Sequence, residues 1–162
     1  MNPGTKRDLK PGEWMTPEEF AEVVRLTPLV AIDLVVRSKE GRVLVGRRIN
    51  EPAKGVFFVP GGRISKNETK AAAFQRISKE ELGTALEIDQ ARFLGAYEHF
   101  YPTNRFGIAG FGTHYLTLGF EVSAELKSSV LPADQHGEYA WLTPDELLSR
   151  TDVHDNTKAY FR

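Results

Sequence analysis

The stretch Gly62-Arg63-Ile64-Ser65-Lys66-Asn67-Glu68-Thr69-Lys70-Ala71-Ala72-Ala73-Phe74-Gln75-Arg76-Ile77-Ser78-Lys79-Glu80-Glu81-Leu82-Gly83 decides the fold. A glycine turn leads into a run of good helix formers. No Gly or Pro interrupts residues 68–82, and Gly83 stands where a helix C-cap glycine belongs. The reading is a helix over 68–82, with Glu68 in its first turn and Arg76, Glu80 and Glu81 in its last turns. Residues four apart share a helix face, so Arg76 lines up with Glu80 and Ile77 with Glu81. Carboxylates gathered at one helix end, opposite the backbone carbonyls of a Gly61-Gly62 turn, make a hard oxygen site suited to Mg²⁺ or Mn²⁺. An amphipathic helix with a solvated Glu/Lys face accounts for Glu80 alone, but not for the whole spaced set.

Outward from this segment, the chain alternates strands with separated helices. Thr16-Pro17-Glu18-Glu19 is a helix start: a hydroxyl at the N-cap, Pro in the first turn, then acids. Pro28 ends that helix. Residues 29–37 (LVAIDLVVR) read as a buried strand, and Arg42–Arg48 as its hairpin partner across Ser38–Gly41. Val56–Val59 is a short apolar run before Pro60. Phe93–Tyr101 and Thr113–Ser123 read as two longer strands, with the glycine-bearing Thr103–Gly112 between them as a loop or lid. Tyr139–Leu142 is a short strand, Thr143–Glu146 repeats the helix-start signature, and residues 154–161 read as a last helix. The expectation is an α+β sandwich around a mixed sheet: a flexible N-terminal arm over 1–15, then one domain over 16–162.

Composition narrows the function. With 162 residues the chain is long enough for a real core. Lys and Arg total 21 against 22 Asp and Glu, a net charge of −1, which argues against bulk electrostatic binding to nucleic acid or an anionic membrane. The absence of cysteine excludes a disulfide scaffold, a thiolate nucleophile and a cysteine-ligated metal. No stretch approaches a membrane span, and MNPGTKRDLKPGEW lacks the apolar core of a secretion signal, so the expected location is cytoplasmic.

The segment from Gly62 resembles the Nudix box, G-x5-E-x7-R-E-U-x-E-E-x-G-U, where U is a bulky aliphatic. Gly62, Glu68, Arg76, Glu80, Glu81 and Gly83 fall on their positions. Ile77 replaces the first Glu of R-E-U-x-E-E, Ser78 the aliphatic after it, and Thr84 the closing aliphatic. In ordinary Nudix pyrophosphohydrolases that glutamate helps hold the metals that activate water at phosphorus. Isoleucine neither binds Mg²⁺ nor accepts a proton. The rest of the chain is similar to the GDP-mannose mannosyl hydrolase subgroup, which lacks the same glutamate. The matching stretches are Thr27–Val30 with Asp33, Gly46–Arg48, Phe58–Arg63, His99–Tyr101, Thr113–Tyr115, Leu131-Pro132 with Asp134–His136, and Tyr139 with Trp141-Leu142.

The resemblance implies a Nudix-type α/β/α sandwich and hydrolysis at sugar C1 with inversion, yielding GDP and free mannose, or glucose from GDP-glucose. A diphosphate is a good leaving group, so charge neutralisation and one base suffice where an ordinary inverting glycosidase needs two carboxyls. The resemblance assigns the base to His136. It assigns one Mg²⁺, replaceable by Mn²⁺, to the Gly61 carbonyl, Glu81 and Gln135, with Glu80 either an outer ligand or the partner of Arg76. It sets Arg48 and Arg63 on the diphosphate and Tyr115 as a hydrogen-bond donor to it. Asp33 and His99 then hold mannose hydroxyls or orient the attack, Phe20 and residues of the N-terminal arm lie near the guanine base, and Arg76 borders the substrate. His114 and His154 read as structural. The implied partners are a GDP-sugar and a second copy in a homodimer. The competing readings are attack at phosphorus and a non-catalytic nucleotide-sugar-binding module.

Overall fold

The computed structural model describes residues 7–134 and 136–162. Helix α1 (Pro17–Leu26) opens on a complete capping box between Thr16 and Glu19. Strands β1 (Leu29–Arg37), β2 (Val43–Arg48), β3 (Phe57–Phe58) and β4 (Gly61–Arg63) precede helix α2 (Lys70–Leu82). Strands β5 (Arg92–Tyr101), β6 (Thr113–Ser123) and β7 (His136–Leu142) follow, then helices α3 (Pro144–Ser149) and α4 (Asp155–Lys158) and a 3₁₀ turn over Ala159–Phe161.

All seven strands join one sheet in the order β3-β2-β1-β6-β5, with β4 beside β1 and β7 beside β2. Only β1 and β6 run parallel, paired along the full length of β1. The expected β1–β2 hairpin pairs at a single register, Arg37↔Val43, next to its turn. Beyond that point β2 takes β7 and β3 as partners, while β4 takes the edge of β1 at residues 31–33. β1 and β2 therefore part company, and their separated ends supply opposite sides of one cleft.

Strand alternation sorts the core into two layers. Ile32, Leu34, Val36 and Leu44 pack on Ala73, Phe74, Ile77 and Leu82 of α2. Val35, Val43 and Val45 point the other way, onto Phe57, Leu147 of α3 and Val153. Helices thus cover both faces of a mixed sheet, the sandwich expected from the sequence. A third cluster seats α1 through Phe20 and Val24 on Leu29, Phe106, Phe111 and Tyr115.

Three local expectations need correcting. Glu68 precedes α2 rather than lying in its first turn, because Thr69 is the N-cap and its hydroxyl accepts the Ala72 amide. Strand β7 starts at His136, three residues before the expected start. The last helix stops at Lys158 and tightens into the 3₁₀ turn.

Candidate active site

A cavity of about 690 Å³ opens between the parted ends of β1 and β2. Ten of the residues singled out in the sequence line it: Phe20, Asp33, Arg48, Gly61, Arg63, Arg76, Glu81, His99, Tyr115 and His136. Gln135 lies outside the described residues. A smaller cavity of about 330 Å³ shares Phe20, Arg48, Arg63, Arg105 and Tyr115 with the first, so the cleft is elongated.

The α2 side of the cleft is a closed ionic network. Arg76 gives Nε and Nη2 to the two oxygens of Glu68 at 2.7 and 2.9 Å, Nη1 to Glu80 at 2.9 Å, and Nη2 again to the Arg63 carbonyl at 2.8 Å. Glu68 also accepts the Ser65 amide. The Arg76 hydrogen bonds hold the Glu68 carboxyl below its ordinary range. Arg76 therefore spends most of its donors within the protein, tying the loop after β4 to the helix. Ile77 is fully buried in the α2 core and packs against Gly62. The position where an ordinary box carries its first glutamate belongs to the interior, and one turn on Glu81 reaches the cleft.

Glu81 is buried, and its described side-chain partner is His136, whose Nε2 stands 3.2 Å from Oε2. A bulge on β7 aims that imidazole: Arg48 pairs with His136 but Arg47 with Glu138, leaving Gly137 as the extra residue. The ring lies over Gly46, where any Cβ would stand 2.5 Å from Cγ and Nδ1. Nδ1 is buried there with no partner among the described residues, so Nε2 is the edge turned toward Glu81.

Asp33, in the middle of β1, answers the question its burial raises. The Tyr160 hydroxyl donates to its Oδ2 at 2.7 Å. A Cβ on Gly61 would meet Oδ1 at 2.4 Å, so only glycine fits beside it. Burial pushes the Asp33 carboxyl up to about 7, with the Tyr160 hydrogen bond and Arg48 opposing. His99 is buried on β5, its Nδ1 3.2 Å from the Thr117 hydroxyl and its Nε2 without a partner among the described residues. Burial, then the neighbouring His154, brings its pKa down to about 4, so the ring is neutral near pH 7. A neutral His99 ring and the Thr117 hydroxyl share one hydrogen bond at Nδ1, and the buried Nε2 is left for a further partner.

The cationic groups divide cleanly. Arg47 is spent on Glu138, Asp152 and the Gly55 carbonyl. Arg48, Arg63 and Arg105 make no ion pair among the described residues. Burial lowers the pKa of Arg63, a cation placed where an incoming anion relieves it. Burial likewise raises the pKa of the Tyr115 hydroxyl beside it, which keeps it a proton donor. Three unpaired guanidiniums around one cleft favour a polyanionic ligand. His154 is structural, capping α4 and stacking on Phe58 at 4.4 Å.

Residues 27–162 match the NUDIX domain. The chain belongs to the Nudix hydrolase family. It is 44% identical over 117 residues to the low-salt glycan biosynthesis protein Agl8 of Haloferax volcanii, covering 72% of each chain. It is 38% identical over 72 residues to an ADP-ribose pyrophosphatase of Methanocaldococcus jannaschii, covering 44% of this chain and 41% of that one. Among solved structures, the MutT NUDIX hydrolase of Burkholderia pseudomallei superposes with a TM-score of 0.66 at 25% identity, over 83% of this chain and 96% of that one. The NUDIX domain of Shewanella oneidensis NrtR, solved with ADP-ribose, superposes at 0.60 and 16% identity over 90% and 95%.

Nudix hydrolases generally use Mg²⁺ or Mn²⁺. The residues here fit such an ion in kind: a buried carboxylate, Glu81, with no Lys or Arg partner among the described residues, borders the same cleft as the Gly61 backbone. No group of three or more His, Asp or Glu side chains among the described residues is arranged to hold a metal.

Sequence reasoning missed four contributors and left a fifth unnamed. Tyr160 pairs with Asp33 from 127 residues away, Thr117 with His99 across the β5–β6 pair, and Arg105 and Phe106 wall the cleft, as does Trp14 of the arm that was expected near the guanine. A buried acid in β1 announced that a partner was needed, but not which one.

Proposed function

We propose that the protein hydrolyses a GDP-sugar, GDP-mannose first among them, by water attack at sugar C1 with inversion, releasing GDP and the free sugar. The observation that carries the reading is the pairing of a box helix whose glutamate position is filled by core-bound Ile77 with an imidazole, His136, seated against Glu81 at the cleft. A helix short of one metal-side carboxylate is poorly equipped to ionise water at phosphorus. An imidazole in place of a carboxylate, beside a cationic cleft, suits an attack on carbon with a diphosphate departing. The 44% identity to a glycan biosynthesis protein is in keeping with a nucleotide-sugar substrate.

The roles follow from the residues. Water gives its proton to His136 as its oxygen bonds to C1, and the C1–oxygen bond breaks with its electron pair leaving on GDP. Arg48 and Arg63 take up the charge of the diphosphate, and Tyr115 donates to it. Asp33 and His99 hold sugar hydroxyls, Phe20 borders the guanine base, and Arg76 supports the Arg63 backbone from behind. Glu81, the Gly61 carbonyl and, as the subgroup resemblance implies, Gln135 would hold a divalent metal, which would supply further neutralisation of the leaving group. Residues 16–162 act as one domain, and the subgroup resemblance extends to a cytoplasmic homodimer.

Attack at phosphorus is the second reading, favoured by the partial match to an ADP-ribose pyrophosphatase. His136→Gln separates the two. In the first reading it lowers kcat on GDP-mannose by about 10²–10⁴-fold while GDP affinity holds. An unchanged rate, with GMP as product, supports the second.

A further inference from the structure

The cleft has a wall that the NUDIX match does not include. The match begins at residue 27, yet Trp14, Met15, Pro17 and Phe20 line the cavity. The segment before α1 is clipped in place at two points. Arg7 bridges Glu13 and Glu19 at 2.6 and 2.7 Å, binding the segment to the first turn of α1. On the other side Lys66 pairs with Asp8, and the Asn67 amide donates to the Leu9 carbonyl at 2.6 Å, binding the segment to the loop between β4 and α2. Asn67 holds a left-handed backbone, with φ at +61°, which turns the loop at this contact.

Between the two clips lies Trp14, half exposed at 49%. Its ring sits 5.5 Å from the Arg63 guanidinium carbon and 5.3 Å from that of Arg76. Phe20 lies against Arg63 at 3.7 Å and packs edge-on against Phe106. Arg63 is thus contacted by two aromatic rings and by no carboxylate among the described residues. Such stacking fixes the direction of a planar guanidinium without neutralising it, leaving its donors for an anion.

We propose that residues 7–15 form part of the binding site, and that Trp14 is a positioning residue which, with Phe20, clamps Arg63 for the diphosphate of the substrate. The proposal rests on the reading that the substrate carries a diphosphate, and not on which bond is cleaved. An ordered guanidinium loses less freedom when the anion arrives, so the clamp acts on affinity.

The probe is inorganic pyrophosphate with Mg²⁺, titrated calorimetrically. Trp14→Ala weakens its binding by about tenfold, the scale of a partly desolvated cation–π contact, and Trp14→Phe keeps it within about threefold. On GDP-mannose the Trp14→Ala loss is read in KM. Asn67→Gly, which keeps the left-handed backbone and removes the amide that holds Leu9, weakens binding by about threefold, the scale of one lost hydrogen bond. With Trp141→Phe leaving Trp14 the only tryptophan, its fluorescence changes saturably with pyrophosphate. Equal pyrophosphate affinity in Trp14→Ala and the unaltered protein overturns the proposal, as does an unaltered protein that binds no pyrophosphate. Loss of pyrophosphate affinity in Trp14→Ala, with no turnover of GDP-mannose by any form, upholds the clamp and rejects the sugar reading.

Discussion

The two sides of the cleft are built on opposite plans. On the α2 side every charge among Glu68, Arg76 and Glu80 has a partner, and Ile77 beneath them is sealed in the core. On the side carried by the strand ends, Arg48 and Arg63 have no acidic partner among the described residues, His99 keeps an orphaned ring nitrogen, and Asp33 stays buried on one tyrosine. A saturated network is scaffold. Polar groups left short, in a fold that satisfies the rest, cost stability and mark where a ligand completes the structure. The family signature falls mostly on the first side, whereas most of the groups to which the proposed chemistry is assigned fall on the second.

The difference can be broken from either side. The largest effect is expected for Ile77→Glu, which restores the ordinary box. Because that position is interior, the change buries a carboxylate and costs about 4 kcal/mol or more, read by denaturant unfolding, without creating cleavage at phosphorus. Next is Arg63→Ala, which removes an unpaired cation. GDP affinity falls about 10–100-fold by calorimetry, with little change in melting temperature. Glu68→Gln does the reverse. It opens the scaffold, costs about 1–3 kcal/mol of stability, and leaves turnover per folded molecule within about threefold.

The most diagnostic effect concerns pH. The Glu68 carboxyl is held low by Arg76, so its contribution is present above the ordinary glutamate range and is lost as pH falls through its folded pKa. Asp33 has the opposite sign. Its folded pKa is raised by burial to about 7, so the fold favours the protonated acid. That contribution is present below the ordinary aspartate range and is lost as pH rises toward and through 7. Unfolding measured at pH 5 and pH 8 shows Asp33→Asn losing about 2–3 kcal/mol less than the unaltered protein over that interval. An unchanged interval means that Asp33 is better solvated than its place in β1 implies.

Legibility followed the range of the interactions. Strands β1 and β6 lie where their apolar runs end, and both capping boxes stand where Thr-Pro-acid signatures announced them, because those signals are local. Family resemblance named candidate residues one by one, and the cleft gathers ten of them. What could not be read was tertiary. Tyr160 approaches Asp33 only because the C-terminal turn packs on the sheet. The glycine beneath His136 has meaning only once β7 has bulged. Trp14 belongs to a polar-looking arm whose clips to Glu19, Lys66 and Asn67 span up to 59 residues and leave no periodic trace. Glu68 was placed inside the helix because composition does not mark a boundary that the Thr69 hydroxyl decides.

Hydrolysis of GDP-mannose in ¹⁸O-labelled water with Mg²⁺, followed by mass analysis of the separated products, tests the central claim most directly. Label in free mannose with unlabelled GDP is the predicted result, since water then attacks carbon on the side of the cleft that holds His136. Label in GMP or in mannose phosphate places the attack at phosphorus and contradicts it.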